Sequence, residues 1–469
     1  MSNMTTVKTG YEMNSCLAYT GEPVFEELEN GSGYVCRNAD HKMIKLNPLT
    51  FFVYKLCCNL PVRTALKAYI RELRTKGVQA DTQTLTDHFF AAVSVLTERG
   101  LVNVSRGKDE GLSVDYSALD IRIVNAYLEI TSLCNAHCPY CYNNSGCGGA
   151  HMEPEVLKDL CEQVVDLKAT NVILSGGEPT LHPEFFRTVA FFKEKGLHTS
   201  VITNAWFGSN EKYIQALQGC DVQFTLDHIL PEMHDAIKGK GSYAAVKAAM
   251  LALAESPDPG LRKLRVNLSY ENEQDIEAFV RTAEEFKASV IDFHLLHRLG
   301  RDKDYGSHID YDRNPEQAER IVKKLQQMSM EAAKKGGTMI TYKGCLPTHS
   351  CNFLNIRDNV FNCLLRVTPA GEVFPCQFFS APYFALGNIH DLKLKEIIHS
   401  ENLSDLLEIL NGRAAHNASC RSCVWDGKCR KGCPAKAYML YNTIWQKSGE
   451  CDMWKHLEYA RLESKAKEQ

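Results

Sequence analysis

Between residues 122 and 300 the chain alternates between two kinds of segment. Short, largely apolar runs rich in β-branched residues lie at Ala126–Thr131, Asn171–Ser175, His198–Thr203, Val222–Leu226, Leu264–Ser269 and Val290–Leu296. Between them, apolar residues recur at helical spacing over Pro154–Lys168, Pro183–Lys195, Asn210–Leu217, Tyr243–Ala254 and Gln274–Phe286. Six strands alternating with five helices predict a parallel sheet built from βαβ units. Several strands are nearly all apolar, as expected where both faces are covered. Six units make an open, partial version of the eight-fold barrel. Chemistry is then expected where the C-terminal ends of the strands meet their loops.

The flanks read differently. Before residue 120, strand-like pieces at Pro23–Leu28, Gly33–Arg37 and Met43–Leu46 are separated by the turn residues Asn30-Gly31 and Asn38–Asp40. Helical stretches follow at Pro48–Cys58, Val62–Lys76 and Asp81–Gly100, with Gly77 and Gly100 as stops. Ser105–Leu119 is polar and reads as a linker. After a helix at Pro315–Lys335 the chain becomes loop-rich, with too little apolar content for a large core, so metal is expected to hold it. The expected fold is α/β: a partial (β/α)6 barrel of the TIM type over 120–310. It is flanked by a winged-helix-like α+β domain over 1–110, a bridging helix in 311–344, a cysteine-rich iron–sulfur domain over 345–455 and a tail over 456–469.

Composition narrows the function. A chain of 469 residues exceeds one hydrophobic core, so two or three domains are expected. The net charge of −4 gives no basic footprint for nucleic acid. No apolar run has membrane-spanning length. Met1–Thr20 lacks a basic stretch followed by an apolar one, so a cytoplasmic location is expected. The nineteen cysteines are then out of place as disulfides in a reducing compartment. Three fall within 134–141 and nine between 345 and 451, and such grouping points to metal or iron–sulfur ligation. Cys57, Cys58, Cys161 and Cys220 lie in apolar or helical surroundings and read as small core residues.

The first motif is Cys134-Asn-Ala-His-Cys138-Pro-Tyr-Cys141, directly after the first barrel strand. Three thiolates on one loop can hold three irons of a 4Fe–4S cluster and leave the fourth open. A zinc loop completed by His137 is the alternative, disfavoured by placement at the mouth of a barrel. One βα unit later, Ser175-Gly176-Gly177-Glu178-Pro179 lets backbone approach a ligand closely and sets a carboxylate beside it. The spacing of the cysteines, with Tyr140 before the last, resembles the signature of radical S-adenosylmethionine (radical SAM) enzymes over residues 122–300. The resemblance implies that the open iron chelates the methionine amino and carboxylate groups, and that Gly176, Gly177, Glu178 and Pro179 lie along the amino group. It implies cleavage to a 5′-deoxyadenosyl radical that takes hydrogen from the substrate. Thr203 and Asn204, Thr225 and Asp227, and Ser269 end the third, fourth and fifth strands. They are candidate ribose or carboxylate contacts, or equally caps of the following helices.

The second constellation is Cys420-x2-Cys423-x5-Cys429-x3-Cys433 followed by Cys451. Upstream, Cys363 and Cys376 bracket a hairpin that turns at Ala370-Gly371. These cysteines exceed one four-ligand site, so two clusters are the minimal reading; zinc ribbons are the alternative. The region resembles the SPASM extension, which carries two auxiliary 4Fe–4S clusters. That implies three clusters in all, with Cys363, Cys376 and Cys433 on the nearer auxiliary one and Cys420, Cys423, Cys429 and Cys451 on the outer one. Cys363 stands closer to Gly371 than the family pattern, so either Cys345 or Cys351 supplies a ligand, or one iron is left open.

The N-terminal unit, with strands before helices and Lys45-Leu46-Asn47 before the first helix, resembles the element that binds leader peptides of ribosomally made natural products. Together the three parts imply a radical SAM peptide maturase, an oxidoreductase that installs a crosslink (thioether, carbon–carbon or ether) in a precursor peptide. Its partners would be that peptide, held by its leader, and a reductant such as flavodoxin or ferredoxin, without nucleic acid or membrane. Two alternatives remain open: a sulfatase-type formylglycine maturase, and a non-catalytic iron–sulfur carrier or sensor. His228, His234, His294 and His297 lie near strand ends, and no general base is assigned among them.

Overall fold

The computed structural model describes residues 12–13, 15–20, 25–57, 60–105, 116–296, 300–301, 314–345, 356, 358–416, 420, 423–425, 429, 432–447 and 450–467. Cys58, His297 and Cys351 lie outside them. The chain forms two compact units. One comprises 1–119, 380–385 and 399–447; the other comprises 120–379, 386–398 and 448–469.

The larger unit is built on one ten-stranded sheet. The six expected strands are present as Asn125–Thr131, Asn171–Gly176, His198–Ile202, Asp221–Thr225, Arg262–Leu268 and Val290–Leu295, in consecutive order and all parallel. A seventh parallel strand, Met339–Gly344, joins the far edge. The helix Pro315–Lys335 is therefore a crossover within the sheet. At the near edge Arg366–Val367 pairs in parallel with Tyr127–Leu128, then turns through Gly371 (φ 82°) into Glu372–Phe374. The hairpin read from sequence is thus part of the barrel sheet.

The helices cover one face because their apolar residues line up on one side. Pro154–Asp166 buries Leu157, Leu160, Cys161 and Val164; Phe185–Glu194 buries Phe185, Val189 and Phe192. Each fully buried large side chain of this kind contributes roughly 2 kcal/mol of transfer free energy. Across the sheet the pattern changes. In the fifth strand Leu264, Val266 and Leu268 are buried while Arg265 and Asn267 alternate with them. The second face of the sheet is therefore polar in this half of the barrel, where sequence suggested apolar residues on both faces.

One buried ion pair ties the first strand to the hairpin. The Arg366 guanidinium meets both Glu129 oxygens at 2.9 Å, donates to the Phe379 carbonyl at 3.0 Å, and reaches Asn143 at 2.9 Å, just past the last cysteine of the loop. The bidentate geometry and the added bonds are what make such a pair tolerable in the interior.

The smaller unit carries two three-stranded sheets. Phe25–Glu27, Gly33–Arg37 and Lys42–Leu46 form an antiparallel meander, as the turn residues predict. The second sheet joins Leu60–Pro61, Cys16–Tyr19 and Val102–Ser105, and its strands were too short to stand out in the sequence. The three expected helices are Pro48–Leu56, Val62–Thr75 and Thr82–Glu98. Asn47 and Asp81 cap the first and third by accepting from the amides of Thr50 and Thr84. Helix Glu401–His416 packs in this unit: its Glu408 accepts from Arg63, Thr64 and Lys67 at 2.7–3.0 Å. Arg71 donates to the carbonyls of Tyr383 and Ala385 and to the Asn402 side chain.

Candidate functional site

The cysteine loop leaves the first strand at Thr131 and is held by main chain before any ligand is considered. Cys134 N donates to Gly146 O at 3.1 Å, and Cys141 N to Cys138 O at 3.2 Å. Arg301 completes the loop from the other side. Its amide donates to Cys141 O at 3.0 Å, and its guanidinium to Cys138 O at 2.8 Å, to the Asn144 side chain at 3.1 Å and to Ser145 O. A side chain at Gly300 would run into the Cys141 carbonyl at 2.2 Å, so only glycine lets this segment lie so close. The role of Arg301 was not visible in the sequence, because no local pattern marks a partner so far along the chain.

Gly176 and Gly177 also serve a close approach, here to main chain. A Cβ on Gly177 would lie 2.1 Å from Leu133 O; Gly176 has φ 123° and would meet Thr131 O at the same distance. The amides of Gly177 and Glu178 donate to Thr131 O and Leu133 O at 2.7 and 2.8 Å. The second strand is thereby sewn to the base of the cysteine loop. Pro179 opens the short helical turn Pro179–Leu181 and is buried.

Glu178 is buried and its carboxylate is fully engaged. One oxygen accepts from the Thr180 amide and hydroxyl and from the Thr203 hydroxyl at 2.7 Å; the other accepts from the Asn204 amide at 2.7 Å. Burial pushes its pKa up against the pull of these donors. Glu178 thus fixes the end of the third strand. From there the Asn204 side-chain amide reaches Asn135 at 2.7 Å, with Cys134 Sγ 3.9 Å away. Asn204 therefore joins the cysteine loop, and Thr203 stands behind it on Glu178. Ser269 sits in a tight turn, its amide bonded to Asn272, which in turn donates to the Asp227 carbonyl at 2.8 Å, and its hydroxyl accepting from Glu271 N. Thr225 is half-buried at the end of the fourth strand.

Asp227 presents the opposite case. It is 3% exposed, yet Oδ2 has no hydrogen-bond partner among the described residues, and neither has the Tyr140 hydroxyl. Asn267 donates to Oδ1 at 3.3 Å. The Lys238 ammonium sits 3.5 Å from Oδ2, an ion pair too long for a well-formed hydrogen bond, and 5.6 Å from the Tyr140 ring centroid. Burial opposes both charges, but Asp227 holds Lys238 protonated and Lys238, with His234, holds the Asp227 carboxyl below its usual range. Lys238 was not singled out in the sequence.

This is an environment suited to a cluster and a polar cofactor. Burial raises the Cys134 thiol to about 11, with Glu178 and the other two thiols adding to the rise, so binding iron must displace protons. No three acidic, histidine or cysteine side chains among the described residues converge as a single metal would require. A cubane would place each cysteine on a different iron. The Asp227 and Tyr140 oxygens beside them, close to Lys238 but without a well-formed hydrogen bond among the described residues, could each bond a polar ligand.

The later cysteines divide. Cys363 and Cys376 are buried neighbours in the barrel unit, and Cys376 raises the Cys363 thiol further after burial. Cys345 is fully buried and donates to the Phe293 carbonyl at 3.3 Å; its charged neighbours are Asp292 and Arg265. Cys420, Cys423, Cys429 and Cys433 belong to the smaller unit, and Cys451 opens the helix Cys451–Lys467 of the larger one. Around the run, buried Arg413 donates to the carbonyls of Gly432, Ile444 and Gln446. Cys57, Cys161 and Cys220 are buried, matching their reading as core residues. His228 and His234 each accept a backbone amide through Nδ1.

Comparison with known proteins agrees with this geometry. Residues 128–283 match the model of the radical SAM superfamily, and residues 360–424 that of the SPASM iron–sulfur cluster-binding domain. The mycofactocin maturase MftC of Mycobacterium tuberculosis is 24% identical over 319 residues, 66% of this chain and 78% of its own. The AdoMet-dependent heme synthase of Methanosarcina barkeri is 24% identical over 330 residues, 66% of this chain and 90% of its own. Streptococcus suis SuiB, solved with its precursor peptide SuiA, superposes with a TM-score of 0.54 at 14% identity, covering 93% of this chain and 98% of that one; at that identity it speaks for the fold. The chain thus carries a radical SAM domain over residues 128–283 and a SPASM iron–sulfur cluster-binding domain over residues 360–424.

Proposed function

We propose that the chain is a radical SAM maturase that abstracts hydrogen from a ribosomally made precursor peptide and closes a crosslink in it: thioether, carbon–carbon or ether. The observation that carries the reading is the pairing of the cysteine-loop site with an N-terminal meander whose edge strand, Phe25–Glu27, is exposed along its whole length. An unpaired strand edge offers a row of amides and carbonyls to an extended peptide. The likeness to SuiB spans this unit, and MftC is a maturase by name.

In this reading Cys134, Cys138 and Cys141 hold the SAM-cleaving 4Fe–4S cluster. When bound, that cluster and S-adenosylmethionine supply a 5′-deoxyadenosyl radical that takes hydrogen from the peptide. Asp227 and Tyr140 supply free oxygens for the cofactor, with Thr225 nearby on the same strand end. Gly176, Gly177, Glu178 and Pro179 keep the third strand and the cysteine loop in register, which sets where Asn204 stands. Cys363, Cys376, Cys420, Cys423, Cys429, Cys433 and Cys451 are the proposed auxiliary ligands, for three clusters in total. Leader binding at a remote edge would hold the core peptide by proximity, without demanding a tight core sequence. A low-potential reductant such as flavodoxin or ferredoxin would feed the chain in the cytoplasm.

The test is reconstitution with the precursor peptide encoded beside the chain, followed by mass spectrometry. A crosslink appears as the loss of two hydrogens together with 5′-deoxyadenosine. 5′-Deoxyadenosine without any change in the peptide would reject the peptide substrate. Its complete absence from a cluster-loaded, reduced protein would favour an electron carrier. Leader affinity unchanged on removal of residues 1–110 would reject the docking role.

A further inference from the structure

The polar face of the fifth to seventh strands holds a constellation that no step above uses. In the register of the sheet, Arg265 stands opposite Asp292, and Asn267 opposite His294. Their sequence neighbours Val266, Leu268 and Phe293 point the other way and are buried. Phe293 meets Phe279 of the covering helix Ile276–Glu285 with ring centroids 6.4 Å apart. Asp292 and His294 therefore stand on the face turned from the helices, near the C-terminal strand ends where Asp227 also lies. Asn267 joins the two, bonded to Asp227 on one side and accepting from Arg265 Nε at 3.3 Å on the other.

Asp292 is organised as an orienting group. One oxygen lies 2.8 Å from His294 Nε2, and the other accepts from the Thr341 hydroxyl of the seventh strand. A carboxylate accepts, so Nε2 carries the hydrogen and Nδ1 keeps its lone pair. The His294 side chain is 26% exposed and Asp292 13%: the partner is buried and the ring reaches open space. Burial, with the positive charges of Arg265 and Lys263, lowers the His294 pKa against the pull of Asp292. A buried carboxylate, a tautomer set by it and a ring nitrogen without a partner among the described residues are the parts of a general base.

We propose that His294, oriented by Asp292, accepts the proton released when the peptide crosslink closes. The inference rests on the peptide-maturase reading. The balance is as follows. A substrate C–H gives its hydrogen atom to the 5′-deoxyadenosyl radical, forming 5′-deoxyadenosine and a carbon radical. The carbon then bonds to a second side-chain group, a thiol, hydroxyl or ring carbon, whose own bond to hydrogen breaks. The proton goes to His294 Nδ1, and the surplus electron reduces an auxiliary iron–sulfur cluster by one. The peptide has lost two hydrogens.

The experiment uses the whole cluster-loaded chain with S-adenosylmethionine, dithionite and a perdeuterated form of the precursor peptide encoded beside it. Deuterium in 5′-deoxyadenosine reports the first step and crosslinked peptide the second. In His294→Gln, deuterium transfer and peptide affinity stay within about threefold of the parent, while crosslinked product falls on the order of 100-fold. Asp292→Asn falls less, about tenfold, and its pH profile shifts. Imidazole in the buffer restores product to His294→Ala but not to the parent's Gln variant. Product formed by His294→Gln at the parent rate overturns the proposal. So does a loss of deuterium transfer in step with product at unchanged cluster content and melting temperature, since the ring then acts before bond closure. If the parent protein itself transfers no deuterium from the peptide, the maturase reading fails, and the dyad's role fails with it. That result is read from the parent alone, so the two failures are told apart.

Discussion

Two strand ends at the barrel mouth carry a buried carboxylate, and they use it in opposite ways. Glu178, after the second strand, accepts from four donors of its own chain, with both oxygens engaged. Asp227, after the fourth, is as deeply buried, but its Oδ2 has no hydrogen bond among the described residues and meets only the Lys238 ammonium, 3.5 Å away. Burial alone thus does not mark a binding group. A carboxylate whose acceptor sites are filled by its own chain is a fastening; one left partly unfilled has been desolvated at a cost that only a ligand recovers.

Four variants test this contrast, in descending order of effect. Arg366→Met is the limiting case of a fastening undone. It leaves buried Glu129 without a countercharge and is expected to cost about 3–5 kcal/mol, read as a lower denaturation midpoint. Glu178→Gln puts an amide where backbone and hydroxyl donors point. A loss of about 2–3 kcal/mol is expected, with loosening of the cysteine loop seen as reduced iron content; a stable variant that loses only cofactor affinity would collapse the contrast. The double substitution Asp227→Asn with Lys238→Met removes both charges together. Stability should change by about 1 kcal/mol or less, while S-adenosylmethionine affinity falls on the order of tenfold or more by equilibrium dialysis. Glu408, in the smaller unit, is a milder fastening. Burial opposes its charge, but Lys67, Thr64 and Arg63 hold its pKa below the usual range. The folded state then binds a proton less readily than the unfolded one. Its stabilisation is present above the ordinary glutamate pKa and lost as pH falls through the lowered value. Glu408→Gln should flatten that acid limb by about 1 kcal/mol.

Much of this architecture was legible in the sequence because it is local. The period of apolar residues locates the six strands to within two residues at either end, and the cysteine spacing with Gly176-Gly177-Glu178-Pro179 marks the mouth. The seventh strand, Met339–Gly344, did not show, since a six-residue run with a lysine and two polar residues carries little period. The fastenings were silent for a different reason. Arg366 meets Glu129 across 237 residues, and Arg301 meets the cysteine loop across 163. No window of sequence holds both partners. The glycines show the converse: their need for space was readable, but whether ligand or main chain filled that space was not.

The clamp by Arg301 has a bearing on how the chain comes into being. On the ribosome the three loop cysteines emerge first, and the side chain that steadies their carbonyls follows about 160 residues later. A thiol triplet kept waiting through that interval is open to stray metals and oxidants. If the loop holds a cluster as proposed, iron would best be loaded after synthesis of the sixth βα unit, and machinery that delivers clusters would gain by engaging a nearly finished barrel.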